Sequence, residues 1–72
     1  MDTGHAIRIL RSLKALSQQE LGEKLQVKQQ TVAKWEKKKS IDSRQLDTIL
    51  SALKSNKKEL EDIKKLLPRQ RD

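Results

Sequence analysis

One segment, LSQQELGEKLQVKQQTVAKWE at residues 16–36, constrains the fold more than any other part of the chain. Ser17 with Glu20 three residues later is a capping-box pattern, in which hydroxyl and carboxylate both pair with free amides at a helix start. The apolar positions that follow recur at helical spacing. Gln26 and Val27 then turn the chain, and a second helix starts near Gln29. The segment therefore predicts two short helices joined by a tight turn.

Apolar residues at helical spacing before this segment predict a first helix from about Gly4 to Lys14. The helix that starts near Gln29 is expected to end near Lys37. Asp42 with Gln45 repeats the capping pattern and predicts the start of a fourth helix.

Asn56 with Glu59 is a third capping pattern and predicts a fifth helix, at about 56–67, before Pro68 discourages continuation. The pattern of apolar residues nowhere alternates as in a strand. We therefore expect an all-α, compact five-helix domain over residues 1–67, followed by a polar tail at residues 68–72.

The charge of the chain favours a polyanionic partner. Its 72 residues include 17 Lys and Arg against 10 Asp and Glu, for a formal net charge of +7, and such an excess favours nucleic acid. An acidic protein or a membrane surface is the alternative. Trp35 is the only aromatic residue, whereas single-strand and RNA-binding surfaces stack bases on several rings. Double-stranded DNA is therefore the expected nucleic acid.

Other classes of function find little support in the sequence. There is no cysteine and only one histidine, so no metal cluster is expected. No apolar run approaches the ~20 residues that span a bilayer, and residues 1–6 lack the apolar core of a signal peptide. We expect a cytoplasmic protein that is not an enzyme, with no cofactor and no small-molecule ligand.

The chain resembles the Cro/CI (Xre-type) helix–turn–helix family of phage and bacterial regulators from about Ile7 to Leu60, and small Cro repressors most of all. The residues that match the family are Arg8, Leu10, Arg11, Leu16, Ser17, Gln18, Glu20, Leu21, Val27, Thr31, Val32, Trp35, Glu36, Leu46, Ile49, Leu50 and Leu53. The resemblance implies a lambda-repressor-like fold. It also implies that the second helix of the motif enters the major groove of DNA. Gly22 falls where the two helices of the motif approach each other most closely. Gln26 falls where turns of this family often have a glycine in the left-handed conformation, so the resemblance implies that conformation for Gln26.

The resemblance also implies roles for individual residues. Base edges are expected to be contacted by Lys28, Gln29, Gln30 and Lys34. Phosphates are expected to be contacted by Gln18, Thr31, Lys37, Lys38 and Lys39. Arg11 and Glu36 match a pair that forms a structural salt bridge. The chemistry agrees, because glutamine can bond adenine N6 and N7 and lysine can donate to guanine O6 and N7.

Each of these interpretations has a plainer alternative. Residues 28–30 can be a solvated helix start, and lysines 37–39 can be a solvated loop. On the fifth helix, Ile63, Leu66 and Leu67 can extend the core, or they can form a self-complementary surface between two subunits. We favour the second of these, a homodimer joined through this helix and the loop before it.

The sequence as a whole predicts a Cro-type transcriptional repressor that binds a pseudo-palindromic operator in double-stranded DNA as a homodimer. The alternative is the DNA-binding antitoxin of a toxin–antitoxin pair. That alternative needs a toxin-binding segment, for which residues 63–72 would serve.

Overall fold

The computed structural model describes residues 2–66, without the side chain of Leu66, and over this range the chain is all-α. Its five helices are α1 (Thr3–Leu13), α2 (Gln18–Leu25), α3 (Gln29–Glu36), α4 (Ser43–Ala52) and α5 (Lys57–Leu66). The predicted five-helix fold is confirmed, and each helix boundary that was predicted within the described residues lies within one residue of its prediction. The predicted end of the fifth helix lies outside the described residues. Over the described residues, no helix is both long enough and apolar enough to cross a membrane.

Helix α1 is central to the fold and packs against both α3 and α5, while α2 packs against α3 and α4. The helices enclose one apolar core, formed by Ala6, Ile7, Leu10, Leu21, Val32, Trp35, Ile49, Leu50, Leu53, Leu60 and Ile63. Burial of these side chains is the main stabilising contribution in a chain without disulfides. In α3 only Val32, Trp35 and Glu36 are buried, so Gln29, Gln30 and Lys34 remain exposed to solvent.

Side chains cap the starts of α2, α4 and α5. At α2 the capping box is complete: Glu20 N donates to Ser17 Oγ at 3.0 Å, and Ser17 N donates to Glu20 Oε1 at 2.8 Å. At α4, Asp42 Oδ2 accepts from the amides of Arg44 and Gln45 at 3.1 and 3.4 Å. The predicted starts of both helices are therefore confirmed.

The start of α5 uses only half of the predicted capping box. Glu59 N donates to Asn56 Oδ1 at 2.8 Å, as predicted, but the Glu59 carboxylate accepts from the Ser55 hydroxyl. That hydrogen bond, aided by Lys14 Nζ at 3.5 Å, lowers the pKa of Glu59 in spite of partial desolvation. The glutamate thus links the start of α5 to the end of α1.

Three of the helices end in the same way. After α1, α2 and α4 the chain passes through a left-handed residue, namely Ala15 (φ 60°), Gln26 (φ 59°) and Lys54 (φ 55°). After α2, the amides of Gln26 and Val27 donate to the carbonyls of Glu23 and Gly22 at 3.2 and 2.9 Å. This is the Schellman arrangement, which most often uses glycine at the left-handed position. The predicted left-handed conformation of Gln26 is confirmed.

Replacing Gln26 with glycine is expected to raise the free energy of unfolding by about 1 kcal/mol. A left-handed non-glycine residue costs roughly 1–2 kcal/mol, and the greater freedom of glycine in the unfolded chain offsets part of the gain. Urea unfolding followed by circular dichroism measures the change. The matched control is Glu23→Gly, inside α2, which should lower stability by roughly 1 kcal/mol. Equal destabilisation by both variants would contradict the strain at Gln26.

Helix α5 corrects one prediction about subunit contacts. Ile63 was predicted to lie in a dimer interface, but it is only 6 % exposed and packs in the core of its own chain. Its side chain is on the face of α5 that covers α1, so it offers almost no surface to a second subunit. Leu67, the side chain of Leu66 and the predicted polar tail at residues 68–72 lie outside the described residues.

Candidate nucleic-acid interface

The start of α3 presents a row of polar side chains to solvent. Lys28 precedes the first turn, and Gln29 and Gln30 occupy its first two positions, all three exposed. Lys34 is exposed one turn further along, and Thr31 is partly exposed. The predicted base-contacting residues therefore occupy exposed positions from the residue before α3 to its last turn, where their hydrogen-bonding side chains are accessible to solvent.

A close approach between α2 and the following turn places this helix end. Val27 N donates to Gly22 O at 2.9 Å. A Cβ atom at Gly22 would lie 2.8 Å from Val27 O and 3.6 Å from Gln29 N. The prediction that Gly22 marks a close approach is confirmed, although the tightest contact is with the turn rather than with α3. Because Gly22 has no side chain, the turn at Val27 can pack closely against α2. This packing fixes the position at which α3 begins.

A buried carboxylate holds the other end of α3. Arg11 Nε donates to Glu36 Oε2 at 2.6 Å, and Arg11 Nη2 donates to Glu36 Oε1 at 3.2 Å. The two side chains are 11 % and 3 % exposed. The same guanidinium donates from Nη1 to Leu16 O at 2.7 Å. One arginine of α1 therefore joins the end of α3 to the segment before α2, in the geometry of a two-pronged charge-assisted bond.

The same carboxylate continues into a chain of amides that reaches the exposed end of α3. Gln18 Nε2 donates to Glu36 Oε1 at 2.9 Å, and Gln29 Nε2 donates to Gln18 Oε1 at 3.3 Å. Gln18, predicted as a phosphate contact, thus lies between the buried ion pair and the predicted base-contacting Gln29. These bonds restrict the rotamers of both glutamines before any ligand arrives, which lowers the entropic cost of binding.

The lysine loop after α3 is fastened to the start of α1. Thr3 N donates to Lys39 O and Gly4 N donates to Lys38 O, both at 3.0 Å. These amides belong to the first turn of α1, where no carbonyl of the same helix is available to them. With the loop carbonyls turned towards α1, the side chains of Lys37, Lys38 and Lys39 are exposed. The three predicted phosphate contacts therefore extend from the surface beside α3.

Gly4 supports this surface through close packing, and the sequence analysis assigned it no such role. A Cβ atom there would lie 2.6 Å from Lys38 O and would overlap with Trp35 O. Any larger residue would push the loop and the end of α3 away from α1. A glycine near the start of a helix, where propensity disfavours it, was the available signal.

Comparison with protein families gives a match over three quarters of the chain. The family described as "Helix-turn-helix" matches residues 7–60. The matched region begins within α1 and ends within α5, and so includes the whole exposed surface described above. No curated protein and no solved structure matches the chain.

Proposed function

This chain belongs to the helix–turn–helix family, and from that premise we propose that it is a Cro-type transcriptional repressor that binds a pseudo-palindromic operator as a homodimer. The family is one of DNA-binding regulatory domains, generally without enzymatic activity. A dimer bound to its operator would repress transcription by preventing RNA polymerase from binding there.

The observation that carries the proposal is the exposed start of α3, formed by Lys28, Gln29 and Gln30. Hydrogen bonds through Gln18 connect it to the buried ion pair of Arg11 and Glu36. An α-helix fits the major groove, and base edges there distinguish all four base pairs. Glutamine can bond adenine in bidentate fashion and lysine can donate to guanine. We assign base contacts to these three residues and to Lys34.

Phosphate contacts would fix the register of α3 on the duplex without reading sequence. We assign them to Gln18 and Thr31, and to the lysine loop at residues 37–39. The net charge of +7 supports this assignment, since each neutralised phosphate releases counterions and strengthens binding at low salt.

We propose a homodimer because repressors of this type bind pseudo-palindromic operators, whose two-fold symmetry matches that of a dimer. Two recognition helices about 34 Å apart would reach successive major grooves on one face of the duplex. Because Ile63 is buried within its own chain, the proposed subunit contact uses Leu66, Leu67 and the loop before α5.

Selection of binding sites from a random pool of duplexes, followed by DNase footprinting, tests this function. We expect a consensus with two inverted half-sites, about 10–10.5 base pairs between centres. Sedimentation of the protein on the selected duplex should give two chains per duplex. A consensus with a single unrepeated half-site, bound by one chain, would contradict the homodimer and leave DNA reading intact.

A DNA-binding antitoxin is the second candidate, and an exposed leucine favours it. Leu13 is 69 % exposed beside a groove between α1 and α5 of about 330 Å³, which the charged residues Lys14, Glu59 and Asp62 also line. This groove is lined by neither the glutamines nor the lysine loop, so it would be open to a protein partner while DNA is bound. Stoichiometric co-purification with the product of a neighbouring gene, lost in Leu13→Ser, would favour the antitoxin over the repressor.

A further inference from the structure

A second groove lies where the ends of α1, α2 and α4 meet, and we call it the helix-end groove. Its volume is about 280 Å³, and the residues that line it are Lys14, Leu16, Lys24, Ala52, Leu53 and Lys54. None of these residues belongs to α3 or to the lysine loop. The helix-end groove therefore shares no residue with the proposed DNA-binding surface.

Helix geometry also places the helix-end groove away from that surface. Gln18 is the first residue of α2 and Lys24 is in its last turn, roughly 9 Å further along the helix axis at 1.5 Å per residue. The start of α1 is bonded to the lysine loop, whereas Lys14 follows the last residue of α1, roughly 16 Å from Thr3. A ligand in the helix-end groove would therefore leave α3 free to contact DNA.

The charged residues around the helix-end groove are all lysines. Among the described residues, no carboxylate lines it. Lys24 and Lys54 are exposed, and neither forms an ion pair with any residue within 2–66. Lys14 is paired with Glu59 at 3.5 Å. The groove thus presents two lysines that have no acidic partner in the described part of the chain, which favours an anionic ligand.

The floor of the helix-end groove is apolar. Leu53 is 2 % exposed and belongs to the core, and Leu16 and Ala52 are half-buried and pack against that core. An apolar centre inside a polar rim is typical of protein-binding surfaces, where one anchoring side chain fills the centre. A phosphate gains nothing from apolar contacts, so this floor favours a carboxylate-bearing peptide over a nucleic acid.

The backbone at Lys54 gives independent support. Lys54 is left-handed, with φ 55°, at the kind of helix end where glycine is usual. A side chain at such a position is sterically unfavourable, because its Cβ atom crowds the backbone. The Lys54 side chain forms no hydrogen bond and no ion pair within residues 2–66 that would offset this cost. Backbone strain of this kind without a structural return points to a function for the side chain.

We propose that the helix-end groove binds an acidic segment of a partner protein, in which carboxylates flank one apolar side chain. Lys24 and Lys54 pair with the carboxylates, and the apolar side chain lies against Leu16 and Ala52. The inference goes beyond the proposed function, because it gives the chain a second binding surface that stays open while DNA is bound.

Peptide selection on the full chain is the first test. Short random peptides displayed on phage are selected twice, once on the free chain and once on the chain saturated with its selected duplex. In both selections we expect enrichment of peptides that carry Asp or Glu on both sides of a Leu, Ile or Phe. Enriched peptides that lack carboxylates, or that lack the apolar residue, would contradict the proposal.

Charge reversals then locate the binding site by anisotropy of a labelled enriched peptide. Lys24→Glu and Lys54→Glu should each weaken binding about fivefold or more, because an exposed attraction becomes a repulsion. The matched control is Lys65→Glu, since Lys65 is in the last turn of α5 as Lys24 is in the last turn of α2. Its affinity should stay within about twofold of the unsubstituted chain, because salt screens distant charges. Equal losses in all three variants would show attraction by net charge alone and overturn the proposal.

Ala52→Gln tests the apolar floor without changing a charge. It should weaken binding of the enriched peptide, because the longer side chain fills the groove. A second peptide, with its apolar residue replaced by serine, should bind the unsubstituted chain and Ala52→Gln with equal, weaker affinity, as a coupled pair requires. Losses that simply add in this cycle would show that the peptide does not occupy the groove.

Lys54→Gly separates binding from stability. It should raise the urea midpoint of unfolding, because glycine adopts the left-handed conformation without strain, and it should weaken the enriched peptide. A more stable variant that binds less tightly cannot owe its loss to unfolding. Unchanged peptide affinity in Lys54→Gly would contradict the role of Lys54.

Other occupants of the groove give different results. Acidic peptides that bind only the free chain and are displaced by the duplex would lie on the DNA-binding surface, and the proposal would be wrong. It would be equally wrong if the free chain self-associates and Lys24→Glu abolishes that association, since the groove would then bind a second copy. A chain that binds the peptides but no duplex would overturn the proposed function and leave this inference intact.

Discussion

Replacing Glu36 with alanine is expected to lower the free energy of unfolding by about 3–5 kcal/mol, because the substitution leaves Arg11 charged and mostly buried. The Arg11 side chain is 11 % exposed, and two of its donors point to the Glu36 carboxylate. Gln18 would lose an acceptor at the same time. Domains of this size have a total stability of only about 5 kcal/mol or a little more. A large fraction of the variant molecules should therefore be unfolded at 37 °C.

Urea unfolding followed by circular dichroism measures this loss of unfolding free energy. Two further variants serve as controls. Glu61→Ala removes an exposed carboxylate paired with Lys64 at 3.8 Å, and it should cost under about 1 kcal/mol. Replacing both partners, Arg11→Met with Glu36→Leu, should cost less than Glu36→Ala alone, since no buried charge remains. A cost for Glu36→Ala as small as that of Glu61→Ala would show that the ion pair does not hold α3 in place.

The second large effect is expected on DNA binding. Gln29→Ala and Gln30→Ala should each weaken binding to the selected duplex by about 1–3 kcal/mol and relax the preference for one base pair. Both side chains are exposed at the start of α3, so the unfolding free energy should change little. Gln29→Ala also releases Gln18 from its hydrogen bond at 3.3 Å, and we expect the larger loss at this position.

The control for these variants is Lys37→Gln, which removes a proposed phosphate contact. It should weaken binding to selected and scrambled duplexes by the same factor, whereas the glutamine variants should affect the selected duplex alone. Anisotropy titrations at one fixed salt concentration compare the two classes. Glutamine variants that behave like Lys37→Gln would rule out base contacts by these side chains.

The fold was predictable from the sequence because most of its signals are local. The capping box of Ser17 and Glu20 depends on residues three apart, and helical spacing of apolar residues depends on the nearest turns. Within the described residues, these patterns predicted the helix boundaries to within one residue wherever a boundary was predicted. The left-handed conformation of Gln26 was predicted from the resemblance to the family, whose turns often have a left-handed residue at this position.

The features that sequence reasoning missed depend on contacts between distant parts of the chain. The amide of Gly4 bonds to the carbonyl of Lys38, and no local pattern at either residue reports the other. Ile63 continues an apolar stripe whether it faces a core or a partner, so periodicity alone cannot assign its burial.

The central claim is that the exposed end of α3 reads base sequence in the major groove. Competition between a selected and a scrambled duplex of equal length, at physiological salt, tests it most directly. We expect the unsubstituted chain to bind the selected duplex at least ~10³-fold more tightly than the scrambled one, and the replacement of Gln29 and Gln30 together to remove most of this preference. Equal competition by the two duplexes would contradict it.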